Sequence, residues 1–304
     1  MVSKTGKNMS VSIIIPYYKT PHLLTKNMPS VIDAFKYKNN NIKEIILVDD
    51  GSNDDCAKII KKEFPKVKLI THKVNRGFSA TVNTGARSSY GNLLALLNTD
   101  VIPERDFLVA ALNHFKDEKV FAISLHEKGY GWAKGKFENG FVGFEKGQEG
   151  RLVSDTFWVS GGSGIFRRSL WMKLGGLDEG LFSPFYWEDL DLSYRAVKRG
   201  YKLVWEPKAK VIHKHESTMR ALPDQRRVDR IRERNQLLFI WKNITSPNLF
   251  RKHILGLIKR TSSHPGYIRI VLMALSKIGG IKRARKKERK ETTVSDEAIF
   301  AKFA

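Results

Sequence analysis

The segment Trp187-Glu-Asp-Leu-Asp-Leu-Ser-Tyr-Arg195 gathers three carboxylates, Glu188, Asp189 and Asp191, at the start of a helical pattern. A helix N-terminus favours one or two acids through its dipole alone. Three in four positions, beside Trp187 and the aromatic run Phe182-Ser-Pro-Phe-Tyr186, point to a partly desolvated acidic pocket. A carboxylate in such a pocket can take the proton from an attacking hydroxyl.

Three further sites stand at the ends of apolar runs. Asp49-Asp-Gly-Ser52 pairs two acids with a glycine where a strand gives way to a helix. It suits an ordinary capped turn, and equally a carboxylate that accepts the imide N–H of uracil or thymine. Asn98-Thr-Asp100 closes Leu93-Leu-Ala-Leu-Leu97; Asp100 can start a helix, or hold a divalent cation that grips a diphosphate. His213-Lys-His215 ends another extended run and offers a second ligand to such a metal. Gly161-Gly-Ser-Gly164 lacks the Walker spacing and Gly175-Gly-Leu-Asp178 the GxGxxG frame, so neither supports a P-loop enzyme or a dinucleotide-binding enzyme.

These residues need a scaffold that brings distant strand ends together. Val11–Pro16, Glu44–Asp49, Val67–Thr71 and Leu93–Leu97 read as buried strands. Helical stretches alternate with them: His22 to Tyr37, Asn53 to Phe64, Ser79 to Ser88, and one after Pro103. That alternation predicts a mostly parallel α/β sheet with helices on both faces, and such sheets bind ligands at the carboxyl ends of their strands. Residues 128–150, rich in Gly and aromatics, read as a long irregular excursion over the site. Helices are expected at Arg168–Leu174 and Glu188–Lys198, extended runs at 202–205 and 210–213, and a basic helical region from Pro223. The run Lys282–Lys290 reads as a solvated tail.

Charge divides the 304 residues unevenly. Residues 201–304 hold 25 Lys and Arg against 9 Asp and Glu, a net +16 of the total +23. Arg220 to Arg234 alone holds six arginines against three acids. Such a surface suits an anionic membrane or nucleic acid, although no recognised nucleic-acid motif is present and none is expected as partner. Cys56 is the single cysteine, which excludes an internal disulfide and suits a reducing cytoplasm. No signal peptide and no run of ~20 apolar residues is visible, so the expected location is cytoplasmic, peripheral on the cytoplasmic membrane face.

Over residues 10–220 the motifs, in this order, resemble the family 2 glycosyltransferases with their GT-A fold. The series is Ser12-Ile-Ile-Ile-Pro-Tyr17, Val48-Asp-Asp-Gly-Ser52, Asn75-Arg-Gly-Phe-Ser-Ala80, Asn83-Thr-Gly85, Leu96-Leu-Asn-Thr-Asp100, Gly161–Gly164, Gly175–Asp178 and Trp187–Asp191. Arg234-Asn235 and the basic end resemble the rhamnosyltransferase-like branch. The resemblance implies that Pro16, Asp49 and Asp50 border the base, with Arg76, Asn83 and Asn98 near the nucleotide. It implies that Asp100 holds Mg2+ or Mn2+, Asn98 replacing the first acid of the family's Asp-x-Asp, with His213 or His215 as a further ligand. Asp189, or Glu188 in competition, would be the base, and Trp187, Asp191 and Gly162 would line the donor and acceptor pocket.

The implied activity is inverting transfer from a UDP- or dTDP-linked sugar to a glycan or lipid-linked acceptor, in surface polysaccharide or glycolipid synthesis. The alternatives are a basic nucleic-acid-binding protein and a nucleotide-sugar-binding protein without turnover. The expected organisation is a catalytic domain at 10–220, a basic helical region at 221–280 and a charged, flexible tail at 281–304.

Overall fold

Val11-Ser-Ile-Ile-Ile in the first strand and Leu93–Leu97 in the fourth are apolar on both faces, so each must be covered twice. In a computed structural model, which describes residues 9–213 and 224–304, they are. Ile13, Ile15, Leu93 and Leu97 face one core; Ile14, Leu94 and Leu96 face another across the sheet, following the two-residue period of a strand.

The elements in chain order are β1 (Val11–Tyr17), α1 (Pro21–Lys36), β2 (Ile42–Asp49), α2 (Cys56–Glu63), β3 (Val67–Thr71), α3 (Phe78–Ser88), β4 (Leu93–Leu97) and β5 (Val101–Pro103). Then follow α4 (Val109–Leu112), β6 (Val120–Glu127), β7 (Ala133–Glu138), β8 (Phe141–Lys146), β9 (Ser154–Asp155), β10 (Ser163–Arg167), α5 (Arg168–Leu174), α6 (Glu188–Lys198) and β11 (Lys202–His213). The chain ends with α7 (Gln225–Asn243), α8 (Pro247–Ser263), α9 (Ile268–Leu275), α10 (Ile278–Glu291) and α11 (Asp296–Phe303).

The main sheet runs β3-β2-β1-β4-β10-β6-β11-β5. Its first four strands are parallel, as the alternation predicts. β10 then enters antiparallel between β4 and β6, and β5 and β9 pair antiparallel with β11, so the complete sheet is mixed. This arrangement positions the chemistry. β11 runs parallel to β6 with Val211 opposite Glu127, and antiparallel to β5 with His213 opposite Val101. Three strand ends far apart in sequence therefore meet at Asp100, Glu127 and His213. The two extended runs at 202–205 and 210–213 are one strand, with a register shift between Glu206 and Lys210.

Two expectations are corrected. Residues 128–150 contain a β-hairpin, β7–β8, in register from Ala133↔Lys146 to Glu138↔Phe141. Its two-residue turn, Asn139-Gly140, has φ of 50° and 84°, the left-handed pair that Asn-Gly supplies most readily. Its tip docks on α8: the Gly140 carbonyl accepts from His253 Nδ1 at 2.8 Å, while Trp241 Nε1 donates to His253 Nε2 at 2.8 Å.

The tail from 281 is likewise not a solvated strand of charge. α10 exposes most of its cations but half-buries Arg285, which donates to the Trp241 carbonyl at 2.8 Å, and buries Ile281 and Glu288, the latter paired with Arg199 at 2.7 Å. α11 buries Ile299, Phe300 and Phe303 in the core, against Phe157 and Tyr194. Asp296 meets Lys198 Nζ at 2.9 Å with both side chains fully buried. The basic α7 also belongs to this core through Leu237, Leu238, Phe239 and Ile240. Among the described residues, no helix is long and apolar enough to cross a membrane.

Candidate active site

A cavity of about 1020 Å³ opens at the carboxyl ends of the parallel strands. That is the upper end of the range for small-molecule sites, leaving room for two reactants. Its lining includes Pro16, Asp50, Asn98, Asp100, Gly162, Trp187, Glu188, Asp189 and His213. Nine of the residues singled out in the sequence thus converge on one space.

Asp50 is held from three sides. Its Oδ1 accepts from the Arg76 amide (2.9 Å) and meets His72 Nδ1 (2.7 Å); its Oδ2 accepts from the Gly77 amide (2.8 Å). Most of its acceptor capacity is therefore used in fixing the 75–77 turn against the sheet. Asp49 lies beside it but does not line the cavity; its Oδ1 accepts from the Ser52 amide at 3.0 Å and shapes the turn. Asn75 and Gly77 replace Arg76 as the wall, because the Arg76 side chain reaches outward to Glu179 at 3.4 Å. Asn83 is also away from the cavity. Buried in α3, it donates to Leu177 O (2.8 Å) and accepts from Leu177 N (3.1 Å), clamping the Gly175–Asp178 turn.

The Asn98–Asp100 corner and the acidic helix start share a support. The Asn98 amide donates to the Gly162 carbonyl at 2.8 Å, and the Gly161 amide donates to Asp189 Oδ2 at 3.0 Å. Glycine at 162 leaves room for the Asn98 side chain, since a Cβ there would stand 2.4 Å from Asn98 Nδ2 and push it aside. Asp100 Oδ1 lies 3.2 Å from His213 Nε2, and His213 Nδ1 lies 3.0 Å from Glu127 Oε1, which also receives Ser163 Oγ at 2.5 Å. Burial pulls the His213 imidazolium down, but its bonds to Asp100 and Glu127 outweigh that and raise it to about 9. His215 lies outside the described residues. Among those described, no group of three or more His, Cys, Asp or Glu forms a ready metal cage. If a cation took the place of the Nε2 proton, Asp100 and His213 would be two N/O donors at the cavity wall, which fits a cation that takes most of its ligands from substrate phosphates and water.

Glu188 and Asp189 both face the cavity. Asp189 is half-buried, and burial raises its carboxyl above the ordinary range against the pull of the Gly161 and Leu190 amides. Glu188 is more deeply buried; burial and the neighbouring Asp189 raise it well above its usual value, and its Oε2 has no hydrogen-bond partner. Asp191 departs from the expectation. It faces the core, where it meets Arg195 Nε (2.8 Å), Lys242 Nζ (2.9 Å) and Asn243 Nδ2 (2.8 Å). Burial disfavours its charge, yet the two cations hold its carboxyl below the usual value.

The turn that presents these acids is strained and clamped. Tyr186 and Trp187 have φ of 72° and 75°, a region that costs a bulky residue about 1–3 kcal/mol. Buried Asn235 offsets this: its Nδ2 lies 2.8–3.0 Å from the carbonyls of Phe182, Phe185 and Tyr186, its two hydrogens shared among the three. Arg234 bonds Asn235 Oδ1 and the Ser183 carbonyl, each at 2.8 Å.

Sequence reasoning missed an aromatic wall. Phe144 of β8 lies 5.3 Å from the Trp158 ring and 6.3 Å from Trp187, and all three line the cavity. It also missed Gln225, Val228, Asp229 and Arg232 from the start of α7, with Arg232 stacked on Tyr186 at 4.7 Å. The Asn-Gly hairpin signal was the clue to Phe144.

The family described as glycosyl transferase family 2 matches residues 12–175. The pre-mycofactocin glycosyltransferase of Mycobacterium tuberculosis (strain CDC 1551 / Oshkosh) is 30% identical over 188 residues, covering 58% of this chain and 38% of that one. The chain thus spans well under half the length of that relative. Among solved structures, GalNAc-T7 with UDP, GalNAc and Mn2+ aligns with a TM-score of 0.62 at 16% identity, over 86% of this chain and 57% of the other. A mannosyltransferase from Pyrobaculum calidifontis in complex with GDP-Man and Mn2+ aligns at 0.55 and 15% identity, over 92% and 84%. The fold is that of GT-A enzymes, and with its motifs in order over more than half its length the chain belongs to glycosyl transferase family 2.

Proposed function

We propose that this protein transfers a sugar from a nucleoside-diphosphate donor to a hydroxyl of a glycan or lipid-linked acceptor, with inversion at the anomeric carbon. The observation that carries this reading is the joint support of Asp189 and the Asn98–Asp100 corner by one Gly161-Gly162 turn, in one cavity.

Asp50, Asn75 and Gly77 would receive the nucleoside, and a UDP- or dTDP-linked donor is the expectation. Asp100 and His213 would hold Mg2+ or Mn2+, which supplies charge stabilisation for the departing diphosphate. Solved relatives of the fold were crystallised with Mn2+ and UDP or GDP-Man, which supports a metal-assisted reaction without choosing the base. Asp189 takes the acceptor proton as that oxygen attacks the anomeric carbon opposite the leaving group. The C–O bond to diphosphate breaks as the new one forms, so no glycosyl-enzyme is needed. Its raised carboxyl makes it a better base than an exposed one. Glu188, raised by burial and by the neighbouring Asp189, faces the same cavity and would hydrogen-bond an acceptor hydroxyl. Phe144, Trp158 and Trp187 offer an apolar face for a sugar ring.

The test is transfer from UDP- and dTDP-sugars to an acceptor panel, with the anomeric configuration of the product read by NMR. A product of inverted configuration supports the reading. Retention, or donor binding without product across the panel, contradicts it.

A further inference from the structure

Of the sixteen large apolar side chains exposed among the described residues, seven fall between Ile254 and Ile278. On α8, Ile254, Leu255 and Ile258 share a face opposite Leu249 and His253, which are buried. Leu255 is 62% exposed and Ile258 59%. On α9, Ile268, Leu272 and Leu275 recur at four and three residues, opposite buried Ile270 and Ala274, and Leu272 is 59% exposed. Ile278 extends the row into α10.

The charge around these rows is of one sign. No acidic residue occurs between Glu233 and Glu288. Arg251, Lys252 and Lys259 are exposed on α8, and Arg269, Lys282 and Arg283 follow on α9 and α10. Scattered exposed apolar residues need no explanation, but helical rows of them bordered by cations do.

We propose that α8, α9 and the start of α10 form a docking surface for an anionic lipid bilayer, with Leu255, Ile258, Leu272 and Leu275 entering the headgroup boundary and the flanking cations meeting lipid phosphates. Aliphatic rows beside Lys and Arg are the composition of an interfacial helix. A second copy of this chain is the poorer occupant, because a two-fold contact would set like-charged faces against each other. Nucleic acid would use the cations but not the aliphatic rows, since none of the seven side chains can stack on a base. The inference does not rest on the transferase reading.

The test is vesicle flotation of the full chain, using phosphatidylcholine with and without phosphatidylglycerol, at low and high salt. The surface predicts binding to the anionic vesicles only, weakened by salt. The double variants Leu255→Glu/Ile258→Glu and Leu272→Glu/Leu275→Glu should each lower partitioning by at least roughly tenfold. All four sites are solvent-facing, so the melting temperature should stay near that of the parent, and a variant that melts early is replaced by Lys259→Glu/Arg269→Glu. Failure to float with anionic vesicles overturns the proposal. So does binding indifferent to both apolar variants, or a dimer in solution that those variants dissolve.

Discussion

Asp189 Oδ2 accepts the Gly161 amide at 3.0 Å, so the carboxylate is aimed by the backbone of the turn that also carries Asn98. That bond and the Leu190 amide on Oδ1, at 2.8 Å, hold both oxygens while the carboxylate lines the cavity. Asp189→Asn keeps size and fold but cannot take a proton. It should bind donor nucleotide normally and lose transfer by roughly 10²–10⁴-fold, checked by initial rates beside calorimetric titration. Near-parental rates would remove Asp189 from the chemistry.

The same carboxyl sets a pH dependence. Burial raises its pKa, and the working form is the ionised one. Activity is therefore complete above the raised pKa and falls as pH drops through it, at a higher pH than an exposed aspartate would give. A kcat/KM profile with its acid limb in the ordinary carboxylate range would contradict this.

Gly162→Ala tests the support itself. The new Cβ would meet Asn98 Nδ2 at 2.4 Å, so Asn98 must shift while the sheet stays intact. Transfer should fall about tenfold or more for a misplacement of this kind, with little change in melting temperature. Full activity would show that Asn98 need not hold its place.

Asp191→Ala should act through stability alone. It leaves buried Arg195 without its carboxylate and Lys242 with Asp178 alone, a loss of about 3–5 kcal/mol in urea unfolding. The Asp191 carboxyl is lowered in the folded state, so its contribution is full above the unfolded pKa and is lost as pH falls through the lower folded value. A variant as stable as the parent would contradict the role.

Asp189 and Asp191 show what a sequence can and cannot disclose. Two positions on a helix turn by about 200°, so a carboxylate two residues beyond one facing a cavity points away from it. That rule was available from the spacing; the buried cations Arg195 and Lys242 that receive Asp191 were not, because Lys242 arrives from α7. The parallel strands were legible because their apolar runs have one burial solution. Glu127 was not, since its place beside His213 follows from the pairing of β6 with β11. The end of the chain was misread because the cations of 282–290 hid the spacing of Ile299, Phe300 and Phe303.

Removing residues 292–304 isolates that last point. Lys198 would lose Asp296 and remain buried, and Phe157 and Tyr194 would lose Phe300. The truncated chain should be several kcal/mol less stable, about 3–5 from the ion pair alone, and should melt at a lower temperature. Unchanged melting would return the tail to a solvated appendage.

The central claim, that Asp100 and His213 serve a nucleoside-diphosphate site in this cavity, is tested most directly by calorimetric titration of UDP, dTDP and GDP with Mn2+ and with EDTA, for the parent and Asp100→Ala. The account predicts that one nucleotide binds in the presence of Mn2+, weakens with EDTA and weakens likewise in the variant. Binding of no nucleotide, or binding indifferent to both metal and Asp100, would contradict it.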